Sequence, residues 1–172
     1  MSYLLGIETA TPFLSVAVVA PEGLLAERSL LGERLHSVRL VPFIRETLAE
    51  AGADLRELTG IAVSSGPGSF TGLRLGMITA KTLAQVLGVP VVGVPTLLAL
   101  AAPLLSGGLP VCAVLTSRRR EVYAAVYRAM DSGAGVLVPP FAAFPQVAAE
   151  KLKPFGRVIL TGEGAWTWRE TL

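Results

Sequence analysis

The chain has 172 residues, of which 52% are hydrophobic and only 16% are charged. This composition excludes intrinsic disorder, which needs low hydrophobicity and high charge, and the length suits one domain or two small lobes. The net charge of +2 is too small to indicate nucleic-acid binding by itself. A surface so poor in charge also indicates that a partner covers some of its apolar area.

The first part of the chain predicts five strands and three helices. Strands are expected where apolar runs lie between turn residues, and helices where apolar residues recur every three or four positions. Gly88 is expected to end the second helix. The predicted strands are 3–9, 14–20, 24–30, 61–65 and 90–94, and the predicted helices are 35–51, 71–87 and 96–105.

The rest of the chain repeats this order, with strands at 110–117, 121–129, 136–138 and 158–161 and a helix at 145–152. Such duplication is typical of the two-lobe actin/Hsp70-ATPase-like α/β fold, a ribonuclease H-like architecture. The turn Ser106-Gly107-Gly108 suggests lobes at 1–106 and 107–172. We expect the second lobe to be shortened, because the sequence stops where its second helix should begin.

The cysteine content indicates the compartment of the chain, and one long segment without charged residues raises the question of a membrane span. Cys112 is the single cysteine, and its apolar surroundings predict a buried thiol. No disulfide framework is possible, which fits a reducing, cytoplasmic compartment. No basic segment precedes the first strand, so no signal peptide is expected. Residues 82–117 contain no charge, but glycines and prolines divide them into pieces too short to span a membrane.

Residues 66–72 form the strongest local motif, Gly-Pro-Gly-Ser-Phe-Thr-Gly, between a predicted strand and a predicted helix. The motif lacks the Gly-Lys-Ser/Thr ending of a P-loop, and its glycine spacing does not fit the dinucleotide fingerprint. It favours a tight turn with Ser69 or Thr71 as the helix cap. A degenerate nucleotide or anion pocket stays open as the alternative. Its candidate residues are Glu8, Thr9, Gly66, Gly68, Ser69 and Phe70.

The sequence offers few candidate catalytic residues, and no catalytic or metal-binding residue is assigned. His36 is the single histidine, so one chain cannot supply a two-histidine metal site. Actin-like kinases and ATPases place an aspartate at the end of the first strand of each lobe to hold hydrated metal and phosphate. Here those positions carry Glu8-Thr9 and Thr116-Ser117. Glu8 could bind nearby backbone or hydroxyl groups, or hold a metal through water.

Two further features have both an ordinary and a functional interpretation. Small residues recur every four positions at Gly72, Gly76, Ala80 and Ala84, so they share one helix face that permits close packing. That face suits either the sheet of its own lobe or a partner, and the low charge favours the partner. A predicted hairpin turn carries Arg118, Arg119 and Arg120. These side chains are either simply solvated or contact phosphate or tRNA.

Several segments together resemble the TsaB (YeaZ-type) family, formerly grouped with M22 glycoproteases. The resemblance covers most of residues 3–128, and the stretch 66–74 is its most specific part. Glu8 and Thr116 depart from it, since the family usually has aspartates there. The matching segments are 5–11 with 15–17, 34–37 with 40–42, 66–74 with Gly76, Ala80, Leu83 and Ala84, 90–94 with Leu97, Leu100 and Ala101, and 117–118 with 121–123.

The resemblance implies a non-catalytic scaffold or activator subunit of the machinery that attaches threonylcarbamoyl to adenosine 37 of tRNA. It implies a heterodimer with the metal-bearing paralogue TsaD, assembly with the ATPase TsaE, and a homodimer when the chain is alone. tRNA would bind only the assembled complex, and no cofactor is expected beyond an adenine nucleotide at the complex interface. The expected partner interface comprises His36, Leu40, Phe43, Gly72, Leu73, Gly76 and Ala80.

Two other classes stay open at this point. An M22-type metallopeptidase predicts bound zinc or iron, although the sequence offers no clear metal site. An actin-like small-molecule kinase or ATPase predicts ATP turnover by the pure chain, although it lacks both clamp aspartates.

Overall fold

A computed structural model describes residues 2–32, 35–117, 120–131 and 133–172. The chain divides into two compact units, of which the first ends at Val94 and the second begins at Pro95. The first unit contains β1 (Tyr3–Glu8), β2 (Phe13–Ala20), β3 (Gly23–Leu31), α1 (His36–Glu50), β4 (Leu58–Gly66), α2 (Phe70–Leu87) and β5 (Val91–Pro95).

The first unit forms one five-stranded sheet in the order β3-β2-β1-β4-β5. Strands β1, β2 and β3 pair antiparallel, and β1 pairs parallel with β4. Alternate residues of β1 and β2, including Leu5, Ile7 and Val16, point to one face of the sheet and are buried there. Side chains of α1, among them Leu40 and Phe43, pack on the same face. The alternation expected for a half-buried strand is therefore present.

Both helices of this unit occur close to their predicted bounds. α2 ends at Gly88, whose φ of 69° lies in the left-handed region that favours glycine. The helical spacing that predicted α1 was that of Val38, Val41, Arg45 and Leu48. Leu48 is buried, whereas the other three are exposed. The period thus predicted the helix, but several of the residues that revealed it face solvent.

The second unit contains α3 (Thr96–Ala101), β6 (Val111–Thr116), β7 (Val122–Met130), β8 (Gly133–Ala143), α4 (Pro145–Leu152), β9 (Ile159–Thr161) and α5 (Glu163–Thr167). Its sheet has the order β8-β7-β6-β9, which repeats the order of the first four strands. α3 packs on one face of this sheet, and α4 and α5 pack on the other.

Two predicted boundaries differ from the structure. The unit boundary follows Val94 rather than residue 106, because Leu97 and Ala101 of α3 are buried against Ala113 of β6. β8 has eleven residues rather than the predicted three. It tolerates Pro139 and Pro140 because it is an edge strand whose register with β7 shifts between Val138 and Phe141, so the two missing N–H groups fall at an irregularity of the pairing.

Helix length and side-chain burial bear on the membrane and cysteine predictions. Across the described ranges, no helix is long and apolar enough to cross a membrane. Cys112 is buried as predicted, with 1% of its surface exposed. Burial raises the pKa of its thiol to about 12, because the anion would lose its hydration.

Candidate functional site

The end of β1 is closed by the carboxylate of Glu8. Its Oε1 atom accepts hydrogen bonds from the backbone N–H groups of Ala10, at 2.5 Å, and of Thr11, at 2.9 Å. Its Oε2 atom accepts one from the hydroxyl of Ser64 on β4. Both oxygens therefore have partners within the first unit, which is the structural role that the sequence offered for this residue.

Thr9 lies against the start of α2. Its hydroxyl donates to the carbonyl of Gly72 at 2.8 Å. A Cβ atom at Gly72 would lie 1.9 Å from the carbonyl oxygen of Thr9, and one at Gly76 would lie 2.3 Å from the Thr9 hydroxyl oxygen. Real Cβ atoms do not approach other atoms so closely, so the small face of α2 exists to pack on β1.

The loop that precedes α2 is also joined to β1. The N–H of Ser69 donates to the carbonyl of Ala10 at 2.7 Å, and a Cβ at Gly68 would lie 2.3 Å from the same oxygen. The Ser69 hydroxyl accepts from the N–H of Gly72 at 3.3 Å, so Ser69 is the N-cap. Of the two predicted caps, Ser69 is confirmed. The nucleotide or anion role of this loop stays a prediction, and these bonds already satisfy two of its N–H groups.

Six of the seven predicted interface residues are buried inside the first unit. They cannot face a partner directly, because they are buried: Leu40, Phe43 and Ala80 belong to the core of the unit, and Gly72 and Gly76 lie against Thr9. The prediction is wrong for these side chains, and Leu73 is only partly buried. The six buried residues are His36, Leu40, Phe43, Gly72, Gly76 and Ala80.

The opposite faces of the same two helices carry exposed apolar side chains among polar ones. On α2, Ile78 is 60% exposed and Val86 is 77% exposed. Phe70 is exposed at the start of α2, with the guanidinium of Arg74 5.4 Å from its ring centre. α1 and α2 contact each other. We define the outer helix face by its exposed residues Val38, Val41, Arg45, Phe70, Arg74, Ile78 and Val86.

The second unit has its own carboxylate at a strand end, which sequence reasoning missed. Glu163, the first residue of α5, accepts from the backbone N–H of Thr116 at 2.5 Å and from its hydroxyl at 2.7 Å. Thr116 is the last residue of β6. The signal available was the Gly162-Glu163-Gly164 turn after β9, which matches the position of the 66–72 loop in the first unit.

Of the three arginines predicted to contact tRNA, the structure describes one. Arg118 and Arg119 lie outside the described residues. Arg120 is exposed and has a φ of 60°.

In the described part of the chain, no three His, Cys, Asp or Glu side chains are grouped to hold a metal ion. The buried His36 has no hydrogen-bond partner there at its Nε2 atom.

Comparison with known proteins decides the family. Residues 30–150 match the family described as TsaD, tRNA N6-adenosine threonylcarbamoyltransferase. The chain is 32% identical over 169 residues to the tRNA threonylcarbamoyladenosine biosynthesis protein TsaB of Escherichia coli K12, with 96% of this chain and 73% of that protein covered. The chain belongs to the TsaB family.

Solved TsaB-type structures support the predicted fold. YeaZ from Pseudomonas aeruginosa superposes with a TM-score of 0.88 at 31% identity, over 100% of this chain and 80% of that chain. The predicted two-lobe α/β architecture is confirmed by this match and by the repeated strand order.

The relatives are longer than their match to this chain. An uncharacterized protein of Mycobacterium tuberculosis is 40% identical over 129 residues, which cover 74% of this chain and 60% of that protein. The chain therefore spans about 60% of the length of this relative.

Proposed function

We propose that this chain is a non-catalytic subunit in the attachment of threonylcarbamoyl to adenosine 37 of tRNA. It acts by binding TsaD, together with TsaE, and the free chain pairs with a second copy of itself. Family membership supports the process, since the E. coli relative is named as a tRNA threonylcarbamoyladenosine biosynthesis protein. The observation that carries the scaffold role is the outer helix face, where several large apolar side chains are exposed on two helices that contact each other.

The strand ends support a role without independent catalysis. Glu8 uses both oxygens on Ala10, Thr11 and Ser64, and Thr116 offers no charge and is bound by Glu163. A phosphoryl-transfer site needs carboxylates that can hold hydrated metal beside the phosphates. The two residues at the equivalent strand ends are instead occupied in holding their own units together.

The outer helix face suits a protein partner of mixed character. Beside exposed apolar residues such as Phe70 and Ile78, the face carries Arg45 and Arg74, which can make hydrogen bonds and ion pairs at the rim of an interface. Arginine and aromatic residues are enriched at such interfaces. TsaD and a second copy of this chain would compete for this face.

Reconstitution tests the proposal. Transfer of threonylcarbamoyl to tRNA by TsaD and TsaE should require this chain, and the variant Ile78→Glu should weaken both TsaD binding and transfer at least about tenfold, because it buries an unpaired charge. The control is Val136→Glu, a similar change at an exposed valine of the second unit. Sedimentation of the free chain should show that Ile78→Glu also weakens self-association.

Two results would contradict the proposal. Multiple turnovers of ATP by the chain alone, lost on Glu8→Ala, would make it a catalyst. Normal TsaD binding by Ile78→Glu and Val86→Glu would place the interface elsewhere.

The candidate tRNA contact remains Arg118, Arg119 and Arg120. Replacing all three with alanine should reduce transfer without changing TsaD binding.

A further inference from the structure

The two tryptophans of the chain have different surroundings. Trp168 packs against the core that α4 and α5 form on one face of the second unit's sheet. Trp166, on α5, is 74% exposed. Tryptophan has one of the largest apolar surfaces of any side chain and is enriched where one molecule contacts another. The exposed ring of Trp166 therefore marks a contact for another molecule, and its neighbours indicate which kind.

Close packing of α5 on β6 sets the direction of Trp166. A Cβ atom at Gly162 would lie 2.2 Å from the carbonyl oxygen of Val114, and one at Gly164 would lie 3.0 Å from the same oxygen. Ala165 is buried in the same contact. These small residues occupy the side of the helix that faces the sheet, so Trp166 projects from the side turned away from it.

The Trp166 ring carries a cation on one face. The guanidinium of Arg169 lies 4.8 Å from the ring centre, and its Nη1 atom donates to the Trp166 carbonyl at 3.3 Å. Among the described residues, no Asp or Glu forms an ion pair with Arg169. Because most of the Trp166 side chain is exposed, the other face of its ring is open to solvent. An open aromatic face beside an unpaired guanidinium can stack a planar ring and bind an anion next to it.

A second exposed arginine lies close to this pair. Glu163, which begins α5, binds Thr116 at the end of β6, and the turn from β6 to β7 carries Arg120. Trp166 follows Glu163 by three positions, so the two side chains are neighbours on the helix surface. Arg120 is exposed and forms no ion pair with a described carboxylate. The tertiary structure thus brings an open aromatic ring and two unpaired arginines to the same end of β6.

The charge of the second unit favours an anionic ligand. Residues 95–172 contain eight Lys or Arg and five Asp or Glu, a net charge of +3, whereas residues 1–94 contain seven and eight, a net charge of −1. Single-stranded RNA presents phosphates and unstacked bases together, and proteins stack such bases on aromatic rings and arginine planes. A lipid headgroup or an acidic side chain would satisfy the arginines but supplies no planar ring for Trp166.

We propose that the second unit binds single-stranded RNA, with an unpaired base stacked on the open face of Trp166 and adjacent phosphates held by Arg169 and Arg120. The inference rests on the proposed function only for the source of the strand, which is tRNA. It deepens that function, because it gives this chain a base-stacking contact with the substrate in addition to its scaffold role.

Direct binding to the full 172-residue chain tests the stacking contact. The probe is a fluorescein-labelled strand of about 12 uridines, within the site size of about 4–16 nucleotides typical of single-strand-binding domains. Anisotropy at low salt should show saturable binding. Trp166→Ala should weaken it at least about fivefold, the smallest loss expected for one base–aromatic stack, and Trp166→Phe should retain most of it. Phe13→Ala, at an exposed aromatic residue of the first unit, should change nothing.

Salt dependence tests the phosphate contacts separately. Arg169→Ala and Arg120→Ala should each reduce the slope of log Kd against log salt concentration by about 0.7, the value for one phosphate contact on a single strand. Trp166→Ala should lower the affinity without changing that slope. Arg56→Ala, at an exposed arginine of the first unit, is the matched control and should leave both unchanged.

Fluorescence shows whether the base meets this ring. Trp168→Phe leaves Trp166 as the single tryptophan, and its emission should be quenched by the uridine strand but not by a duplex of that strand with oligoadenylate. Circular dichroism checks the fold of each variant, and the anisotropy series decides alone if Trp168→Phe unfolds.

Three results would overturn the inference. They are absence of saturable binding, an equal loss in Phe13→Ala, and a Trp166→Ala chain that binds RNA normally but loses TsaD binding or self-association, which would assign the ring to a protein contact. Any of them with transfer still dependent on this chain would leave the proposed function intact. Saturable binding through Trp166 without any requirement for the chain in transfer would instead contradict the proposed function alone.

Discussion

Thr9 occupies the space that a side chain at Gly76 would need. A Cβ atom there would lie 2.3 Å from the Thr9 hydroxyl oxygen and 3.4 Å from a methyl group of Val63. Glycine at position 76 therefore lets α2 lie on the end of β1, and the small face of the helix serves the fold of the first unit. Substitutions on that face report on folding, and the outer helix face is the proposed partner interface.

Gly76→Ala should destabilise the chain. Alanine gains up to about 1 kcal/mol of helix propensity over glycine, but forcing a methyl group into this contact costs about 1–3 kcal/mol. We expect a net loss of about 1 kcal/mol in the free energy of unfolding, measured in urea. Gly76→Leu should prevent folding, which circular dichroism will show.

Thr9→Ala tests the cause of that loss. It removes the oxygen that the new methyl group would meet, although it also removes the hydrogen bond to Gly72. The double variant should lose less stability than the sum of the single variants, with a coupling of about 0.5–3 kcal/mol typical of residues in contact. Strict additivity would show that the two positions do not meet.

Glu8→Ala should destabilise the first unit by about 2–3 kcal/mol, because it leaves two backbone N–H groups and the Ser64 hydroxyl without their acceptor. Urea unfolding measures the loss. Glu22→Ala, in the exposed turn between β2 and β3, is the matched control and should change little. Full stability of Glu8→Ala with loss of tRNA modification would instead assign Glu8 to a ligand.

Ser69→Ala should cost about 1 kcal/mol, since it removes the acceptor that caps α2. Thr71→Ala should cost less, because Ser69 rather than Thr71 is the N-cap. Thermal or urea unfolding of the two variants side by side distinguishes the caps. A larger loss from Thr71→Ala would show that the capping assignment is wrong.

Cys112 should make stability fall at alkaline pH. Burial raises the pKa of its thiol from 9.0 to about 12 in the folded chain, so between these values the unfolded thiol loses its proton while the folded one keeps it. The unfolded state is then favoured, by at most roughly 1.4 kcal/mol for each pH unit. Urea unfolding from pH 8 to 11 should show a smaller fall for Cys112→Ala, and parallel curves would contradict the assignment.

Local sequence signals predicted most elements because they act over a few residues. The bounds of α4 were predicted correctly, and the end of α2 at Gly88 followed from a glycine stop. β8 was predicted far too short, since residues 133–143 contain two prolines, which are tolerated here at the sheet edge and at a shift in the register with β7.

What the small side of α2 packs against could be decided only from the tertiary structure. The sequence by itself determined that Gly72, Gly76 and Ala80 share one side of α2, because the helical period is fixed by the backbone. It could not determine whether that side meets the sheet or a partner, since both need small residues. The structure decided for the sheet, because Thr9 reaches across 67 positions of chain to touch Gly76. The partner of Glu163 likewise follows only from the tertiary structure, because Thr116 lies 47 residues away in sequence.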